Sequence, residues 1–144
     1  MKKTALVVCP GRWTYNKAEL GYIGQNCNDS VLLKQFDAVR AAAGLASVSE
    51  LDGQKVFSRA THLKAENAAA LIFAAGVMDY RSINTEQFDV VAVTGNSMGW
   101  YTALGCAGVL AAETGMQLVT DMAQLTAGGA GAQFIYPVID ENWC

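Results

Sequence analysis

The sequence predicts an α/β fold with a parallel sheet. Two short apolar runs, Ala5-Leu6-Val7-Val8-Cys9 and Phe88-Asp89-Val90-Val91-Ala92-Val93-Thr94, read as strands buried on both faces. Helical segments follow each of them, and the alternation strand, helix, strand, helix is what a parallel sheet with crossover helices requires. A chain of 144 residues with 52% hydrophobic content is large enough to bury one compact core.

Each element has a local reason. The first strand is ended by Pro10-Gly11. Asp29 is a helix cap, Leu32, Leu33, Phe36, Val39 and Arg40 repeat with helical spacing, and Gly44 stands where the chain leaves, so a helix is expected from about 30 to 43. Lys64 to Tyr80 is rich in Ala and Leu, lacks proline and is apolar nearly all round, as a helix inside the domain is. After the second strand, Met98 to Val109 reads as a helix. Another runs from Glu113 to about Ala127 and ends at Gly128-Gly129-Ala130-Gly131, after which Gln133 to Ile139 alternates like a strand that needs further partners.

Composition narrows the function classes. Formal net charge is −3 and the basic residues are scattered, which argues against a nucleic-acid partner. The last basic residue is Arg81; beyond it only acids occur. The four cysteines, Cys9, Cys27, Cys106 and Cys144, form no C-x-x-C pair, so neither a metal site nor a redox motif is expected, and free thiols fit a cytoplasmic protein. The apolar run after Lys2-Lys3 is shorter than the ~7 residues of a signal core. Ala68 to Met78, the longest uncharged apolar stretch, falls short of the ~18 residues of a membrane span.

The chemistry is concentrated in Gly95-Asn96-Ser97-Met98-Gly99, a G-x-S-x-G sequence with a strand before it and a helix after it. In such a turn the serine backbone is strained and the flanking glycines leave room for the neighbouring strand and helix. The hydroxyl is thereby presented outward. The helix start supplies unpaired amides, so the Met98 N–H is a candidate oxyanion donor. The loop Pro10-Gly11-Arg12-Trp13 leaves the first strand at the same carboxyl edge of the sheet, which makes the Arg12 amide the candidate second donor. His62 is the only histidine. Its spacing does not bring it to Ser97, and a surface cap or rim contact is expected of it. Cys106, among Leu104, Ala107 and Val109, is expected to pack inertly.

Thr94 to Leu104, followed by Cys106-Ala107-Gly108-Val109-Leu110, resembles the acyl-carrier-protein S-malonyltransferase family, whose usual form there is G-H-S-L-G-E-Y-x-A-L followed by C-A-G. Pro10-Gly11-Arg12 resembles the family's P-G-Q oxyanion loop, and Gly129-Ala130-Gly131-Ala132 the glycine-rich lead into its small ferredoxin-like subdomain. The resemblance implies an α/β-hydrolase-like large subdomain over residues 1–127, and a linker with the first strand of the small subdomain over 128–144, where the chain stops. It implies ping-pong transfer of a malonyl or related group from coenzyme A, through an acyl-Ser97 intermediate, to the phosphopantetheine thiol of acyl carrier protein in fatty-acid or polyketide synthesis, with no cofactor.

Three departures qualify that expectation. The histidine of the family's Ser-His pair falls past residue 144, and a serine hydroxyl without its base is a poor nucleophile. Met122 stands where family members hold the malonyl carboxylate with an arginine, and a thioether cannot replace a guanidinium fork. Arg12, Asn96 and Trp100 replace glutamine, histidine and glutamate. The bulk of Trp13 and Trp100 is in position to narrow an acyl pocket, or to pack at an interface. By resemblance Gly11, Asn67, Trp100 and Met122 are the expected substrate contacts, Asn67 taking the place of a pocket glutamine; the alternative for Asn67 is a cap on backbone groups at the helix start. Two rivals stay open: a serine esterase or thioesterase, and a catalytically silent assembly module that lacks the base.

Overall fold

The computed structural model describes residues 1–127 and Gly129. The strand expected over 133–139 and, apart from Gly129, the small subdomain expected over 128–144 lie outside the described residues. The order is β1 (Lys3–Cys9), α1 (Tyr22–Asn26), α2 (Ser30–Ala42), α3 (Val48–Asp52), α4 (Arg59–His62), α5 (Ala65–Ser82), β2 (Phe88–Gly95), α6 (Gly99–Cys106) and α7 (Ala112–Ala127). β1 and β2 pair in parallel, from Lys3 opposite Phe88 to Cys9 opposite Gly95, with an irregularity between Ala5 and Leu6. Both strands therefore end together, and everything that leaves their carboxyl ends starts from one edge.

Local chemistry fixes the helices. The Asp29 carboxylate accepts the Leu32 N–H at 2.9 Å and starts α2. Gly44, at φ +70°, ends it with the Gly44 and Leu45 amides donating back to Ala41 and Arg40. Ser47 and Glu50 form a reciprocal capping box on α3. α5 is the hub: Ala68 to Ala74 are buried, Ala75 and Gly76 are half-buried, and Val77 and Met78 are buried beyond them. Its Phe73 ring meets Phe36 edge-on at 5.7 Å. The same ring lies against Gly105 and Gly115, where an added Cβ would come 3.2 and 2.5 Å from Phe73 Cζ. Glycines on α6 and α7 thus let both helices close onto α5.

The strands are not buried on both faces as expected from their composition. Val7 and Val93 pack on the core, and α6 lies against both strands. Leu6, Val8 and Val91 are 59%, 61% and 61% exposed. The described helices cover one face of the ribbon, so alternate side chains of an apolar run meet solvent. The helix expected from Met98 to Val109 is shorter than its pattern suggests: Met98 is its N-cap, and the chain turns after Cys106 through Gly108 at φ +71°. No helix among the described residues is long and apolar enough to cross a membrane.

Candidate active site

The site grows from the joined ends of β1 and β2. Ser97 has φ +54°, one of two non-glycine residues with positive φ among the described residues, a backbone conformation that β-carbons disfavour and that neighbouring packing has to enforce. The glycines around it do that. A Cβ on Gly95 would lie 2.2 Å from the Gly99 carbonyl carbon, and one on Gly99 would lie 2.1 Å from Cys9 O. The Asn96 N–H donates to Cys9 O at 3.0 Å and the Gly99 N–H to Asn96 O at 2.8 Å. The turn is clamped on both sides, with Ser97 exposed at its tip.

The β1 loop closes against this turn. Gly11 is buried, and a Cβ there would meet Asn96 O at 3.0 Å and Ser97 Cβ at 3.3 Å. The loop is held by the Thr14 hydroxyl on Gly11 O and the Asn16 amide on Trp13 O. Its deep anchor is Tyr15, buried, whose hydroxyl donates to Asp52; the same carboxylate accepts the Ile23 and Gly24 amides at 3.1 and 2.8 Å. Burial and the adjacent Asp52 charge hold the Tyr15 hydroxyl above its ordinary range. Among the described residues neither the Met98 nor the Arg12 amide donates to a protein acceptor.

These elements border a cleft of about 180 Å³ lined by Arg12, Ala69, Ser97, Met98, Tyr101, Val119, Met122, Ala123 and Thr126. Of the residues singled out from sequence, Ser97, Met98, Arg12 and Met122 meet here, and Gly11 backs the loop beside Ser97. Trp100 and Trp13 are 57% and 62% exposed and do not line the cleft. Asn67 does not line it either. Its Oδ1 accepts from Arg40 Nη2 at 2.6 Å and its Nδ2 donates to Thr61 O at 2.9 Å, so both ends of the amide are occupied.

His62 is fully buried, not at a surface rim. The Ser58 N–H donates to Nδ1 at 3.0 Å, Nε2 lies 3.1 Å from Leu51 O, and Phe57 stacks on the ring at 4.7 Å. Protonation on Nε2 partners both nitrogens. Cys106, the last residue of α6, is buried, and desolvation pushes its thiol up to about 12, so it stays protonated and unreactive. Cys9, Cys27 and Cys106 are free thiols. No group of His, Cys, Asp or Glu among the described residues could hold a metal ion.

The sequence reading missed Ala69, Tyr101, Val119, Ala123 and Thr126. A signal existed for part of this set: Val119, Met122, Ala123 and Thr126 fall at helical spacing on one face of α7.

A solved malonyl-CoA:acyl carrier protein transacylase from Xanthomonas oryzae is 26% identical, with a TM-score of 0.65 over 92% of this chain and 41% of that one. The chain folds as the malonyl-CoA:acyl carrier protein transacylases do. An acyl carrier protein S-malonyltransferase from Vibrio cholerae superposes with a TM-score of 0.68 at 23% identity, over 91% of this chain and 41% of that one. A malonyl-transacylase solved in complex with its type II polyketide acyl carrier protein does so with 0.62 at 22% identity, over 87% and 39%. The chain therefore spans about two fifths of the length of these transacylases. No family model matches the chain, and no curated protein does.

Proposed function

We propose that this chain is the nucleophile-bearing part of an acyltransferase that moves an acyl group from coenzyme A to the phosphopantetheine thiol of acyl carrier protein. The observation that carries this reading is the strained, outward-facing Ser97 at φ +54° on the rim of a cleft beside two unpaired amides. Its Oγ attacks the thioester carbonyl carbon and gives up its proton to a base. The C–S bond breaks, the coenzyme A thiolate leaves and takes a proton, and an ester to Ser97 remains. The carrier thiol then attacks that ester, the C–O bond breaks, and the serine is regenerated. The Met98 and Arg12 amides stabilise the oxyanion of each tetrahedral intermediate.

The transacylase fold supports the carrier protein and coenzyme A as partners, and the strand-turn-helix at Ser97 supports an α/β-hydrolase-like large subdomain over 1–127. The single histidine, His62, is locked into the core with both ring nitrogens occupied, so it is not the base that takes the Ser97 proton. That same observation favours one second reading, a silent assembly module that has kept the elbow without its base. Mass spectrometry of the chain after incubation with acyl-coenzyme A separates the two. The enzyme reading expects an acyl adduct on Ser97 that Ser97→Ala abolishes. A chain that stays unmodified even beside the polypeptide completing the transacylase fold is a silent module. Adduct loss that ignores added carrier thiol indicates a hydrolase.

A further inference from the structure

The geometry points to an uncharged aliphatic acyl group, not a half-dicarboxylate, as the group that Ser97 carries; this rests on the acyl-enzyme reading above. Within the cleft the exposed lining residues are Arg12, Ser97 and Thr126, whereas Ala69, Met98, Val119 and Ala123 are buried. Polarity therefore lies at the rim and the depth is apolar. The Thr126 hydroxyl is already given to Ala123 O at 3.0 Å.

Charge follows the same division. α6 contains no ionisable cation, and the charged residues of α7 are Glu113 and Asp121, both acidic. The part of α5 that reaches the cleft contributes Ala69. No Lys or Arg occurs after Arg81 anywhere in the sequence. Among the described residues the single cation lining the cleft is Arg12, on the exposed loop at the same rim as Ser97. A carboxylate placed among Met98, Val119, Met122 and Ala123 would lose its water without gaining a charged partner, a loss that buried ions do not recover from apolar contacts. A methyl-terminated acyl chain gains from the same surroundings. The two half-buried residues, Tyr101 and Met122, give the walls a flexible thioether and an aromatic edge, which adapt to aliphatic shape without supplying charge.

The test compares two donors of matched size, 3-methylbutanoyl-coenzyme A and malonyl-coenzyme A, in which an isopropyl group replaces a carboxylate. The full chain is incubated with each at pH 9, where hydroxide serves as proton acceptor, and adduct formation on Ser97 is followed by mass spectrometry with Ser97→Ala as background. The expected result is acylation at least tenfold faster from the neutral donor. Malonyl transfer at an equal or higher rate overturns the inference and leaves the acyl-enzyme reading standing. Absence of any Ser97 adduct from both donors, even beside the polypeptide completing the transacylase fold, overturns the acyl-enzyme reading, and this inference with it. Met122→Arg gives a second measure: with folding verified by circular dichroism, the ratio between donors narrows at least fivefold. An unchanged ratio in a folded variant overturns the assignment of the acyl tail to this cleft.

Discussion

The surroundings of Ser97 and of His62 divide the molecule into two kinds of polar chemistry. Around Ser97, at the carboxyl ends of the strands, the backbone is strained, two amides lack protein acceptors among the described residues and Ser97 is exposed. Around His62, where α2, α3, α4 and α5 converge, Arg40 is fully buried and donates to Ala46 O, Glu66 O and Asn67 Oδ1. Asp52 accepts three hydrogen bonds in the same half of the molecule. Saturated groups rigidify a core, while unsaturated ones wait for a ligand. Finding a histidine in a chain with an exposed serine on a strained turn therefore says little until its hydrogen bonds are known.

The sharpest way to break the Ser97 side is to remove the space that permits its turn. Gly99→Ala drives a Cβ to 2.1 Å from Cys9 O and 2.7 Å from Pro10 O, both backbone atoms that cannot swing aside. We expect a loss of about 3 kcal/mol in urea unfolding, at the upper end of overpacking effects. A variant that keeps wild-type stability would mean that the strand end and helix start are not in contact.

The saturated side is probed by Asn67→Ala. It leaves Arg40 Nη2 without an acceptor and Thr61 O without a donor, so stability should fall by about 2 kcal/mol while the preference between acyl donors stays as it was. Unaltered stability with altered donor preference would return Asn67 to the substrate.

How much of this was legible depended on whether a residue's reason is local. Asp29 and Gly44 announced the ends of α2, and Gly95 and Gly99 announced the turn at Ser97, because caps and tight turns are decided within a few residues. Asn67 was read as a pocket amide because its true partner, Arg40, lies 27 positions away. The Tyr15 to Asp52 anchor spans 37 positions and left no pattern at all. The bare sheet face was missed for another reason: a continuous apolar run such as Ala5 to Cys9 looks the same whether one face or both are covered.

The smallest expected effect tests how dry the region behind the elbow is. The Cys106 thiol, desolvated and beside Cys9, is raised from an ordinary 9.0 to about 12. An unfolded chain releases that proton near pH 9 while the folded chain retains it, so the folded state binds more protons and stability falls as pH rises from about 9 toward 12. One proton corresponds to a slope of at most about 1.4 kcal/mol per pH unit. Cys9, raised by burial, Cys27, raised to about 11, and Tyr15 act in the same direction, so the wild-type slope is a sum. Urea unfolding of Cys106→Ala under reducing conditions between pH 8 and 10.5 should show a slope shallower by up to one proton's share. Identical slopes would mean that water reaches the thiol, and that the back of the elbow is as open as its front.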